Sequence, residues 1–199
     1  MINDKAQQSE VLEALREGDR AEFAQLVEQY SPMIYRLGLK MLNNPQDAED
    51  ILQETFIKAY KHIDKFDGRS SVSTWLYRIA TNEALMSLRK KRPDTVSFDV
   101  PSIYESEPQE PLQIVDWCCM PEEEYLTAEG RMRLDQAAER LPESLRIVFV
   151  LRDIESLSTR ETAEVLDISE MAVKTRLSRA RLRLREDLST YYGKLVEKG

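Results

Sequence analysis

The sequence predicts an all-α protein: two small helical domains joined by an acidic linker. Apolar residues recur at three- and four-residue steps along most of the chain, the period of a helix face, and strand-like alternation is rare. Pro, Gly and paired Asn residues interrupt those runs where helices start and stop. Residues 93–120 lose the period. They hold Pro93, Pro101, Pro108 and Pro111, many acids and few apolar side chains, which is the composition of a linker. The expected division is a first domain over 1–92, a linker over 93–120 and a second domain over 121–199.

The first domain reads as a series of capped helices. Val11, Leu12 and Leu15 form a short apolar stripe that ends at Gly18, a natural C-cap. Asp19, with Glu22 three residues on, resembles a capping box. It opens a helix with Phe23, Leu26, Val27 and Tyr30 on one face. Ser31-Pro32 is expected to restart the chain, because Pro is tolerated at a first helical position. Ile34, Leu37, Met41 and Leu42 line the next stretch, and Asn43-Asn44-Pro45 breaks it. Ala48, Ile51, Leu52, Thr55, Phe56, Ala59, Tyr60 and Ile63 then give the clearest helical period in the chain. A loop over 65–71 leads to a long helix expected over 72–92 and stopped by Pro93. Its buried face uses Trp75, Leu76, Ile79 and Leu88. Arg78, Asn82 and Arg89 share a different face.

The linker contains one apolar island, 114–120, whose composition suits docking on another surface. A helix is expected from near Pro121 to Leu141, a second over 142–153, and two more after Ser158.

The charge balance narrows the function classes. The net charge of −8 looks wrong for a nucleic-acid binder. Residues 93–129, however, contain ten acids and no Lys or Arg, so the rest of the chain is slightly basic. Basic residues cluster at 89–92 and 174–185, an asymmetry that hints at nucleic acid. No stretch approaches the ~20 apolar residues of a membrane span. The first twenty residues lack the apolar centre of a signal peptide, so a cytoplasmic location is expected. The only two cysteines, Cys118 and Cys119, are adjacent and form no disulfide framework.

The C-terminal end carries the strongest motif. Ser158-Thr159-Arg160-Glu161 fits the S-x-x-E capping box. The helix it opens turns Ala163 and Leu166 inward. Asp167-Ile168-Ser169 makes a tight turn, since Asp tolerates a left-handed backbone. Ser169 can cap a second helix, in which Val173 and Leu177 face back on the first. This is the spacing of a helix-turn-helix, whose second helix enters the major groove. That helix holds Lys174, Arg176, Arg179, Arg181, Arg183 and Arg185, with no acid over 171–185. Lys and Arg neutralise phosphates, and Arg can pair with guanine edges. Met171, Ala172, Lys174, Thr175 and Ser178, near the helix start, are best placed to reach bases. The competing reading is a basic amphipathic helix on a membrane or a partner protein. The capped helix and turn before it argue for DNA.

At this point the residues resemble a known family. Leu141-Pro142-Glu143, Arg146, Val148-Phe149 and Leu151-Arg152, followed by a helix-turn-helix ending Val173-Lys174-Thr175-Arg176-Leu177-Ser178-Arg179-Ala180-Arg181, look like region 4 of the extracytoplasmic-function sigma factors of bacterial RNA polymerase. The front half resembles their region 2. Asp47-Ala48-Glu49-Asp50-Ile51-Leu52-Gln53-Glu54-Thr55-Phe56 is similar to the segment that docks on the polymerase clamp, which implies core contacts at Asp47, Asp50, Gln53 and Glu54. Phe66-Asp67-Gly68-Arg69-Ser70-Ser71, Thr74-Trp75-Leu76-Tyr77-Arg78-Ile79-Ala80 and Asn82 resemble the segment that opens and reads the downstream promoter box. The implied downstream contacts are Phe66, Asp67, Gly68, Arg69, Ser70, Ser71, Arg78, Asn82 and Arg89. The implied upstream contacts are Met171, Ala172, Lys174, Thr175, Arg176, Ser178, Arg179 and Arg181. The resemblance covers about 21–92 and 122–188.

It implies a subunit that binds core polymerase and promoter DNA, initiates transcription of a stress or envelope regulon, and is held by an anti-sigma protein. Region 4 would read the upstream box as duplex. Region 2 would hold the opened downstream strand, whose unstacked bases need a pocket or an aromatic platform. Phe66 is a candidate platform, whereas the spacing of Trp75 favours the core. Arg89 and the basic residues after it suit backbone contacts. The acidic linker would thread the basic nucleic-acid channel of the polymerase or act as a solvated tether. The chain departs from the family pattern at Asp167, often Gly, and at Met171, often small, which leaves the upstream preference open.

Other chemistry has little support. His62 is the only histidine, so a histidine-based catalytic pair or metal cluster is not expected. Cys118 and Cys119 lack the two-residue gap of zinc or redox motifs, leaving packing or redox sensing. No Gly-rich phosphate loop or nucleophile elbow occurs. No catalytic residue, metal or cofactor is therefore expected. A stand-alone helix-turn-helix regulator is the main alternative, but it would have no need of the motifs over 66–82.

Overall fold

The computed structural model describes residues 20–66, 68–91 and 128–196, and among these residues every regular element is helical. The stripe at Val11, Leu12 and Leu15, the Gly18 and Asp19 signals, Asp67 and the linker with Cys118 and Cys119 lie outside the described residues.

Helix α1 spans Arg20–Leu42. The expected restart at Ser31-Pro32 does not occur, and the helix runs straight through. Proline removes one donor from the ladder, yet the stripe Leu26, Ile34, Leu37 and Met41 is buried on both sides of it. The Ser31 hydroxyl also donates to the Val27 carbonyl at 2.5 Å. Tertiary burial of the stripe outweighs one lost bond.

The break at Asn43-Asn44-Pro45 is present. Asn43 takes a left-handed φ of 49°. The Asn44 side chain accepts from the Gln46 and Asp47 N–H groups at 2.9 and 3.2 Å, which caps α2, Pro45–His62. Gly38 permits a close crossing of α1 and α2: a Cβ there would lie 3.1 Å from the Ala48 Cα. A 3-10 turn, Ile63–Lys65, leads by way of the loop to α3, Val72–Lys91.

The second half holds α4, Ala128–Glu139, and α5, Glu143–Phe149. The helix expected over 142–153 is not uniform: after Phe149 it widens to a π turn, Val150–Ile154, closed by the Glu155 N–H on the Val150 carbonyl at 2.9 Å. Helix α6, Thr159–Leu166, and the long α7, Glu170–Val196, complete the fold.

The halves do not stand apart. One continuous core joins Leu37, Met41, Leu76 and Ala80 of the first half to Val148, Leu151, Val165 and Val173 of the second. Helix α3 lies along α6, and α1 meets both the π turn and α4. A smaller core, with Leu141, Leu145, Phe149, Ala180 and Leu184, ties α7 to α4 and α5.

Candidate nucleic-acid interface

The helix-turn-helix is built as its motif requires. The Ser158 hydroxyl accepts from the Glu161 N–H at 3.1 Å, and the Glu161 carboxylate accepts from the Ser158 N–H at 2.7 Å. These bonds, first the side chain of Ser158 and then its backbone, hold the Glu161 carboxyl below the usual glutamate range. Asp167 ends α6 in the left-handed region, φ 53°. The Ser169 hydroxyl accepts from the Ala172 N–H at 3.1 Å and so caps α7.

Val173, Leu177, Ala180 and Leu184 then face the core. The opposite stripe of α7 presents Met171, Lys174, Thr175, Ser178 and Arg179, all exposed, with Ala172 half-buried beside them. Met171 is 70% exposed, unusual for a large apolar side chain and compatible with a role at a binding surface. Two upstream candidates have different surroundings. Arg176 is half-buried, and that burial lowers its pKa. Arg181 makes a bidentate pair with Asp153 of the π turn, 2.9 and 2.6 Å, so its charge is largely answered within the protein.

The downstream face lies on α3 and the loop before it. Gly68 adopts φ 76°, a conformation that suits glycine. Gly68 and Arg69 are exposed and Ser70 half-buried. Phe66 does not offer its ring as a platform. It is 3% exposed and packs on Trp75 with ring centroids 5.1 Å apart, because an apolar ring at the foot of α3 gains more from the core than from water. Ser71 is committed to capping: its hydroxyl accepts from the Thr74 N–H at 3.1 Å and lies 2.8 Å from the Ser73 and Thr74 hydroxyls. Asn82 and Arg89 are exposed on α3. Arg78 shares their face, but its Nε and Nη2 donate to the Glu164 carbonyl of α6 at 3.0 and 2.5 Å.

On α2, Asp50, Gln53 and Glu54 are exposed on one face, continued by Ile57 and Tyr60 at 44% and 47% exposure. Asp47 is instead turned to Lys91 of α3 in an ion pair.

A cluster that the sequence did not signal lies between the halves. The Glu155 carboxylate, 1% exposed, accepts from the Arg36 guanidinium at 2.7 and 2.6 Å and from the Tyr77 hydroxyl at 2.7 Å. Hydrogen bonding to Glu155 raises the Arg36 pKa, and burial is the first cause that raises that of Tyr77. Arg36 and Glu155 are 119 residues apart, so no local pattern could have paired them.

A capped helix-turn-helix with an exposed polar stripe, packed on a second helical unit with its own polar faces, defines a two-domain DNA-binding factor. Comparison with known proteins makes this specific. Residues 26–93 match the family described as Sigma-70 region 2, and residues 131–184 that described as Sigma-70, region 4. The chain is 40% identical to the ECF RNA polymerase sigma factor SigW of Bacillus subtilis over 183 residues, covering 89% of this chain and 94% of that one. It is 34% identical to the RNA polymerase sigma-H factor of Pseudomonas aeruginosa, covering 88% and 90%. The fold is that of CnrH, solved in complex with the cytosolic domain of CnrY, with a TM-score of 0.66, 23% identity and 92% and 97% coverage. RpoE of Bartonella quintana, solved with the anti-sigma factor NepR, superposes with a TM-score of 0.61 at 25% identity, covering 84% and 97%. The chain belongs to the extracytoplasmic-function sigma factors of RNA polymerase. Among the described residues no helix is long and apolar enough to cross a membrane.

Proposed function

We propose that the chain acts by binding rather than catalysis, in the cytoplasm, as the subunit that brings core RNA polymerase to the promoters of a stress or envelope regulon. The observation that carries this reading is the exposed stripe Met171, Lys174, Thr175 and Ser178 on α7, directly after a capped helix and a left-handed turn. The stripe faces the upstream box in the major groove, where early residues of a recognition helix reach base edges. Arg78, Asn82 and Arg89, with Gly68, Arg69 and Ser70, receive the opened downstream strand. Asp50, Gln53 and Glu54, flanked by Ile57 and Tyr60, dock on the core enzyme: polar groups beside exposed apolar and aromatic side chains suit a protein interface. An inhibitor of the anti-sigma kind, as NepR is in the solved complex with RpoE, competes for these faces.

The test is reconstitution with core polymerase and run-off transcription from a promoter library. The wild type is expected to co-purify with core and to select promoters. Asp50→Lys with Glu54→Lys is expected to lose co-purification while its melting midpoint stays put, since both side chains are exposed. Undiminished co-purification by the folded double variant overturns the docking assignment.

A further inference from the structure

We propose that Glu155 latches the two halves of the free chain in a closed state that withholds Arg78 from promoter DNA. This rests on the reading of Arg78 as a downstream-strand contact.

Among the described residues, several polar links cross from one half to the other. Arg36 and Tyr77 converge on Glu155. Arg78 donates to the Glu164 carbonyl. Arg146 donates to the Met41 carbonyl at 2.9 Å, and Lys40 meets Asp135 at 2.5 Å. The Lys40 pair is partly exposed and contributes little. The Glu155 cluster differs in kind. A carboxylate sealed from water is tolerable only when hydrogen-bonded and paired, and Arg36 and Tyr77, which bond its side chain, both come from the opposite half. Removing one partner strands a buried charge, and separating the halves rehydrates it. The cluster therefore acts as a two-position element: fully satisfied closed, or solvated open.

The local backbone aims Glu155 across the gap. The π turn Val150–Ile154 widens the helix just before it, and Ser156 just after it takes φ 59°, a costly region for a residue with a Cβ. Single-turn π segments recur at functional sites for this kind of re-aiming.

The contact at Arg78 sets closure against binding of the downstream strand at this residue. Glu164 sits in the last turn of α6, where carbonyls lack helical partners. The Asp167 and Ile168 N–H groups are both spent on the Ala163 carbonyl. The Arg78 guanidinium supplies the missing donor and places a cation at the negative end of the helix dipole. While it caps α6, the Nε–Nη2 edge of the guanidinium is not available for a bidentate contact with a phosphate or base. The closed chain also lays α6 of the upstream reader along α3 of the downstream reader. The polymerase and promoter are the ligands that shift the equilibrium, because they bind the open form better.

The experiment uses the full chain with Cys118→Ser and Cys119→Ser, and spin labels at Gln25→Cys and Ser189→Cys, both exposed. The unmodified latch is expected to give one dominant distance. Arg36→Glu and Glu155→Arg, each alone, are expected to raise the open-to-closed ratio on the order of tenfold, within the usual range of coupling between sites. The double swap restores the pair with reversed polarity and is expected to recover the dominant distance, which general damage to the fold would not do. Unchanged distances in the single variants, or no recovery in the double, overturn the latch. In parallel, each chain without core is titrated with a single-stranded downstream-box oligonucleotide. Opened variants are expected to bind about tenfold more tightly. If the distances open but affinity for the strand does not rise, the latch stands and the assignment of Arg78 to the downstream strand falls.

Discussion

The arginines of α7 read alike in sequence and differ in surroundings. Arg181 is held in a bidentate pair by Asp153, Arg176 is half-buried, and Lys174 stands exposed on the stripe with Met171 and Thr175. A bidentate pair with a carboxylate adds geometry as well as energy, so Arg181 is anchored to the π turn before any DNA arrives. Holoenzyme assayed on promoters varied only in the upstream box should therefore separate the residues. Lys174→Ala is expected to relax preference at one position by about 1–3 kcal/mol. Arg181→Ala is expected to leave the ranking of promoters intact and to lower the melting midpoint instead. Identical changes in ranking from both substitutions would contradict this division.

Helix ends and helix crossings carry the next level. The capping box on α6 makes stability depend on acid. Because the Glu161 carboxyl titrates below its ordinary range when folded, its contribution is present above the unfolded value of about 4.3 and is lost as pH falls through the folded value. Denaturant melts of wild type and Glu161→Gln should differ at pH 6 and converge toward pH 3; a gap that persists in acid would assign the effect to something other than the charged carboxylate. Ser158→Ala should cost about 1 kcal/mol at neutral pH, as lost N-caps do. In the first half the sensitive element is the crossing of α1 and α2. A side chain on Gly38 meets the backbone of Ala48, which cannot rotate away. Gly38→Val is expected to destabilise by about 1–3 kcal/mol, the range for overpacked cores. An unchanged midpoint in thermal melts would show that the two helices can part at little cost.

Over the whole molecule, composition and architecture meet in the charge distribution. Ten acids with no base over 93–129 leave the two helical units slightly basic, which reconciles a chain of net charge −8 with DNA binding. The same units pack on one another through a shared core and the Glu155 cluster. A chain whose halves close on each other keeps the apolar surface between them covered until polymerase supplies a better partner. The latch and the acidic segment act in the same direction, since both disfavour DNA binding by the chain alone.

Much of this was determined by sequence alone, for a local reason. Caps, turns and helix periods depend on residues three to five positions apart, so the break at Asn43-Asn44-Pro45, the Ser158–Glu161 box, the left-handed Asp167 and the Ser169 cap were all legible. The family was legible because several such motifs occur in order. Tertiary structure decided the rest. Pro32 reads as a break, yet burial of the stripe around it carries α1 through. Phe66 reads as a candidate platform with burial left open, and Trp75 draws it into the core. Arg78 and Arg181 read as cations facing DNA, yet the Glu164 carbonyl and Asp153 hold them. Glu155 reads as one acid among many, and only the fold brings Arg36 and Tyr77 to it from 119 and 78 residues away. Helical period constrains which face of a helix a side chain occupies, whereas its partner is set by the packing of distant elements, and that information is absent from any local window of the chain.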